Sequence, residues 1–134
     1  MVVDRNVGYI DFIAELREME KKEIVVGLFD ESNAKKALHN EFGTAEIPQR
    51  SFLRSAMAES EDEAVDICAS MADLEDGANV AAKFLERRVK HKIKNGSFVD
   101  NAPSTIKRKG FNKPLIDSGK MLAAVKGMVR NKNE

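Results

Sequence analysis

The stretch ALHNEFGTAEIPQRSFLRSAM, from Ala37 to Met57, changes its structural grammar twice in quick succession. Ala34, Ala37, Leu38 and Phe42 recur at helical spacing, and Gly43 follows the last of them, where a helix C-terminus favours a residue that tolerates positive φ. Phe42 is therefore expected in the core and Gly43 as a cap. Pro48 has no N–H to donate and biases Ile47 toward an extended backbone, so Thr44 to Gln49 reads as an extended arm or edge strand. Phe52 and Leu53 then re-enter an apolar surface and open a second helical pattern. No single regular element holds such a run, so the chain must turn here between two modules.

The chain has 134 residues, enough for one domain (1–134) with a core that needs neither disulfide nor metal. Its lone Cys68 excludes an intramolecular disulfide and, at helical spacing from Ala64 and Met71, reads as a buried thiol in a reducing compartment. No apolar run approaches membrane-spanning length, and the N-terminus lacks a signal-peptide core, so no membrane partner is expected. With 22 basic and 22 acidic residues, the global charge argues neither for nucleic acid nor for an acidic substrate. The absence of tryptophan and the single tyrosine leave little for stacking on bases.

Along the chain, Tyr9, Phe12, Ile13 and Leu16 predict a first amphipathic helix. Ile24 to Phe29 is short, rich in β-branched residues and apolar on both faces, which predicts a central strand. Ser32 or Asn33 is placed to cap the helix that runs to Phe42. After the turn, Leu53, Met57, Ala64, Ile67, Cys68, Met71 and Leu74 mark one helical face, with a lapse near Ser60 and Glu61 that leaves open one helix or two. Glu75-Asp76-Gly77 supplies a stop. Ala78, Ala81, Leu85, Val89 and Ile93 then form a second face ending at Asn95-Gly96, so two long helices make a hairpin.

The hairpin is electrically two-ended. From Glu59 to Asp76 there are eight acidic residues and no basic one, whereas Lys83 to Lys113 holds ten basic residues against Glu86 and Asp100. Either the helices neutralise each other, or they present opposite patches to neighbours or to DNA. The second option gives a basic surface of Arg87, Arg88, Lys90, Lys92, Lys94, Lys107, Arg108 and Lys109. Residues 97–113 form a long polar connection, with Ser104 placed to cap a short helical turn. Asp117 or Ser118, followed by Gly119, caps a helix beginning near Lys120. Val125 to Arg130 alternates as a strand and is expected to pair with Ile24 to Phe29. The fold class is thus α+β: a small, mainly antiparallel sheet packed against a long helical hairpin, with a proline-bearing arm at Thr44–Arg50.

No constellation carries catalysis. His39 and His91 have no partners at metal-ligand spacing, so no metal is expected. The glycines are scattered singly and form no phosphate loop, so no cofactor is expected. Ser118 lacks the preceding glycine of a nucleophile elbow, and Asp117 is accounted for by capping and the helix dipole.

The string HNEFGTAEIPQRSFLR, taken with GFNKPLIDSGKM at Gly110 to Met121, resembles the neck and tail-completion proteins of tailed bacteriophages and prophages. In that family an N-E-F-G-T turn leads into I-P-x-R-P-F-L-R, and P-L-[IV]-D-[TS]-G-x-[ML] lies near the C-terminus. Asn40 to Thr44, Ile47, Pro48, Arg50 and Phe52 to Arg54 match the first pattern. Pro114 to Gly119 and Met121 match the second, while Ser51 and Ser55 stand where the family often has proline. The resemblance implies a non-enzymatic virion-morphogenesis subunit that forms a ring with copies of itself between the capsid connector or adaptor and the tail-tube or tail-terminator protein. Its site would be the bacterial cytoplasm during assembly and the virion neck afterwards. Thr44, Ile47, Pro48, Arg50 and Phe52 would then be assembly contacts. The alternative from the residues alone is a DNA-contacting protein using the basic region from Lys83 to Lys113.

Overall fold

The computed structural model describes residues 14–98, 100–101, 103–110, 115–116 and 119–132. In chain order these form α1 (residues 14–20), β1 (Lys22–Leu28), α2 (Glu31–Phe42), α3 (Leu53–Ser70), α4 (Leu74–Asn95), α5 (Pro103–Lys109), α6 (Lys120–Ala124) and β2 (Val125–Asn131). The expected α+β architecture is observed: a two-stranded antiparallel sheet packs on the α3–α4 hairpin. The Tyr9, Phe12 and Ile13 part of the first helical pattern lies outside the described residues.

The two helices form where apolar residues recur at steps of three and four, and small residues let their axes approach. Ala64, Ala78, Ala81 and Ala82 are buried along this seam, with Leu85, Val89 and Ile93 continuing it. A β-carbon added at Gly77 would lie 2.7 Å from the Cys68 carbonyl oxygen. That closeness corrects one expectation: Glu75-Asp76-Gly77 does not end a helix but forms the first turn of α4. The stop is the short turn after Ser70, and Asp73 caps α4 by accepting from Asp76 N at 3.0 Å. The lapse near Ser60 is no break, because Ser60 is buried within an uninterrupted α3. Likewise Asp30, not Ser32 or Asn33, caps α2, accepting from Asn33 N at 3.0 Å.

Strand register places Ile24, Val26 and Leu28 opposite Val129, Gly127 and Val125. Period-two alternation puts this set on one face, and Val125 and Gly127 are buried against α4. Gly127 is there because a side chain would collide with the Ala82 carbonyl, while its own N–H donates to Glu86 Oε1 at 2.9 Å. β1 is not the central strand its two apolar faces suggested. It has one strand neighbour among the described residues, and all seven of its residues are half-buried.

The charge segregation resolves in part inside the hairpin. Lys92 meets Glu59 at 2.7 Å and Arg88 meets Glu63 at 2.8 Å across the two helices, while Lys83 and Lys90 approach Glu86. No described helix is long and apolar enough to cross a membrane.

Candidate functional site at the α2–α3 junction

The junction is built around one carboxylate. Glu41 sits in the last turn of α2 and is 4 % exposed. Its Oε2 accepts from the backbone N–H groups of Phe52 and Leu53, both at 3.0 Å. Oε1 accepts from Ser51 Oγ at 2.9 Å, Arg54 N at 3.0 Å and Arg54 Nε at 2.9 Å. The first N–H groups of a helix have no partner within it, and Phe52 at the α3 N-cap has no side-chain oxygen to supply one. Glu41 does so from a different helix, so it fastens the end of α2 to the start of α3. Burial alone raises its pKa, but the hydrogen bonds from Leu53, Arg54 and Ser51 outweigh that and hold the carboxyl below its ordinary 4.5.

The chain between these helices closes on its own domain. Gly43 takes φ 77° and ψ 167°, and its N–H donates to His39 O at 2.8 Å, so it is the cap its position suggested. A β-carbon there would stand 3.0 Å from Gln49 N and 3.1 Å from Ile47 O. Thr44 Oγ1 accepts from Glu46 N and Ile47 N, and Thr44 N donates to Ile47 O, which rounds residues 44–47 into a turn. Arg50 returns the chain to α2, its N–H donating to Asn40 O at 2.6 Å. Its guanidinium reaches the Asp100 carbonyl at 3.0 Å and Asn40 Oδ1 at 3.4 Å. Burial pushes the Arg50 pKa down, with the charge of Asp100 acting against it.

Two expected assembly contacts are thereby corrected. Arg50 is 7 % exposed and Phe52 is fully buried among the core residues, so neither offers a docking surface. The physical reason is that the Glu41 cap draws Phe52 N, and with it the ring, under α2. Thr44 and Pro48 remain exposed and Ile47 half-exposed. Phe42, expected in the core, is 55 % exposed and lies beneath the Arg54 guanidinium, 4.3 Å from ring centroid to Cζ.

The second sequence motif meets the first here. A cavity of about 320 Å³ is lined by Asn40, Ile47, Pro48 and Arg50 on one side and by Leu115, Ile116 and Met121 on the other. Leu115 holds φ 71°, a left-handed conformation rare for a bulky residue, and packs against the core. Gly119 stands at the N-cap of α6 with φ 82° and no side-chain cap. Asp117 and Ser118, the other expected caps, lie outside the described residues. Sequence reasoning missed Glu41, since a carboxylate in a final helical turn reads as a solvated charge. The available signal was the lack of a Ser, Thr, Asp or Asn cap at Phe52.

The basic set is divided. Arg88, Lys90 and Lys92 make the intrachain ion pairs given above, and Arg87, Lys94, Lys107 and Arg108 are exposed. Lys109 lies half-buried at the cavity wall. Among the described residues no group of three His, Cys, Asp or Glu is arranged to hold a metal. Comparison with protein-family models, curated proteins and solved structures finds no match.

Proposed function

We propose that the chain is a structural subunit of a tailed-phage neck or tail-completion assembly, working as a ring at the head-to-tail interface and carrying out no chemical step. One observation supports this above the others. The two segments that resemble that family, far apart in sequence, lie together: Asn40, Ile47, Pro48 and Arg50 from the first line the same cavity as Leu115, Ile116 and Met121 from the second. Most of the residues carrying the resemblance are thus spent on fixing a junction. Glu41 and Arg50 are both consumed by intrachain hydrogen bonds, which suits a rigid building block better than an active site.

A ring needs heterologous contacts, in which one surface of a subunit meets a different surface of the next. Thr44, Ile47 and Pro48 project as a fixed turn that fits one side of such a contact. The test is deletion of the coding sequence in a host that carries it, followed by induction of particle production and electron microscopy. Filled heads and separate, unattached tails, restored to whole particles by the wild-type copy, are expected. Normal tailed particles from the deletion strain overturn the reading.

A further inference from the structure

Among the described residues β1 presents an open edge. Lys132 N donates to Lys21 O at 2.8 Å, and hydrogen-bonded pairs alternate along an antiparallel ladder. Glu23, Val25 and Gly27 therefore turn their backbone groups toward β2, and Ile24, Val26 and Leu28 turn theirs outward. The same alternation points Gly127 N away from β1, where it is found on Glu86 Oε1. The outer edge of β2 is thus engaged at Gly127 by a side chain of α4 and at Val125 by Leu122 O, whereas the outward groups of β1 have no backbone partner among the described residues.

Beyond that edge lies an apolar groove. Ile24 and Val26 form one wall, Leu85 lies at the floor, and Leu53, Met57 and Val65 of α3 form the other, around about 680 Å³. Val65 is 60 % exposed. Strands lie about 4.8 Å apart, and a helix with its side chains is about 10 Å across, so a two-helix layer is wide enough for about four strands. Among the described residues two strands cover this one, both packed on α4. Free edge groups select an extended backbone over a helix, since a helix satisfies its own N–H and C=O groups.

The groove's rim sets the sign of the occupant. Glu61 lines it, Asp62 follows one position round α3, and neither makes an ion pair among the described residues. Arg54 stands at the other end, but its charge is taken by Glu41 and its plane by Phe42. We propose that the groove between β1 and α3 is a strand-accepting site for another protein, taking an extended segment that is apolar on alternate residues and bears Lys or Arg at the intervening ones, whose long side chains can reach Glu61 at the rim. This goes beyond the assembly reading and stands without it, since it rests on the β1 edge and the groove alone.

The test uses the full chain and an end-blocked peptide, Lys-Val-Lys-Val-Lys-Val-Lys, with a version carrying Glu for every Lys as control. Saturable binding of the Lys peptide is expected by fluorescence anisotropy, with slowed amide exchange at Ile24, Val26 and Leu28. Cys68 lines the groove and is the only cysteine, so its maleimide labelling should slow in parallel. Val26→Pro removes one outward N–H without touching the β1–β2 ladder, and should weaken binding by about tenfold or more while Val25 and Gly27 stay protected. Glu61→Lys should shift preference toward the Glu peptide, and decides the matter if the proline variant does not fold. No saturable binding, or binding unchanged in both variants, overturns the proposal. So does self-association of the free protein that protects the same three amides, which would give the edge to a second copy.

Discussion

Glu41 concentrates more of this fold than its single charge suggests. Its carboxylate satisfies three backbone donors that have no other partner among the described residues, and hydrogen bonds to a charged group are worth about 1.5–3 kcal/mol each before neighbours compensate. Glu41→Ala should cost about 3 kcal/mol in urea unfolding, and Glu41→Gln less, because the amide oxygen keeps part of the cap. An unchanged midpoint for the alanine variant would show that water replaces the carboxylate without cost. The pH dependence has a definite sign. The folded pKa lies below 4.5, so this stabilisation is present above that value and is lost as pH falls through the folded pKa. The wild type should therefore lose stability on acidification below about pH 4.5 more steeply than Glu41→Ala. Gly43 is a second residue-scale constraint: its φ and ψ lie in a region that side chains avoid, and the backbone of Gln49 fills the space. Gly43→Val should destabilise by more than the roughly 1 kcal/mol of ordinary glycine backbone effects, read as a lowered melting temperature.

At the scale of elements, the hairpin and the two strands were legible because their signals are periodic and local. Leu85, Val89 and Ile93 announce a helical face, and β-branched residues announce Ile24 to Val26. What was illegible depends on contacts between elements. Nothing local in Glu75-Asp76-Gly77 distinguishes a stop from a first turn; the distinction is made by the Cys68 carbonyl, which leaves no room for a side chain at residue 77. Phe42 keeps helical spacing with Ala34 and Leu38, yet the cap geometry turns Phe52 inward and leaves Phe42 outside under Arg54. The central-strand reading of β1 differs from the structure for a related reason: among the described residues β1 has one strand neighbour, and Ile24 and Val26 line a groove beside α3. Sheet and hairpin meet most closely at Gly127. Gly127→Ala should push β2 off α4 and cost about 1–3 kcal/mol, the range for overfilling a packed interior, with β2 amides exchanging faster than those of the hairpin. Equal exchange in both elements would place the strain elsewhere. By contrast, reversing Glu63 and Arg88 together should change stability by less than about 1 kcal/mol, since both are largely exposed.

For the molecule as a whole the net charge is zero, and two ion pairs, Arg88–Glu63 and Lys92–Glu59, join the acidic and basic helices across the α3–α4 seam. Phosphate binding releases counterions and falls steeply with salt, so a DNA-contacting role demands measurable duplex affinity at low salt. With Arg88, Lys90 and Lys92 engaged by carboxylates of the same chain, weak or no duplex binding is expected. Tight low-salt binding abolished by Arg87→Glu with Arg88→Glu would reverse that conclusion. The turn at residues 44–47 separates assembly from folding: Ile47→Asp should leave the melting temperature nearly unchanged, whereas Arg50→Glu should lower it, because its buried guanidinium holds the Asp100 carbonyl. The Glu86 carboxylate on Gly127 N–H has a consequence for how such a molecule can polymerise. In the language of step-growth chemistry, a sheet with both edges reactive is a bifunctional monomer and propagates into fibres. This one is partly end-capped: on its second edge Val125 N is held by Leu122 O and Gly127 N by Glu86 Oε1, so that edge has fewer groups left to propagate a chain of strands than a bare one would.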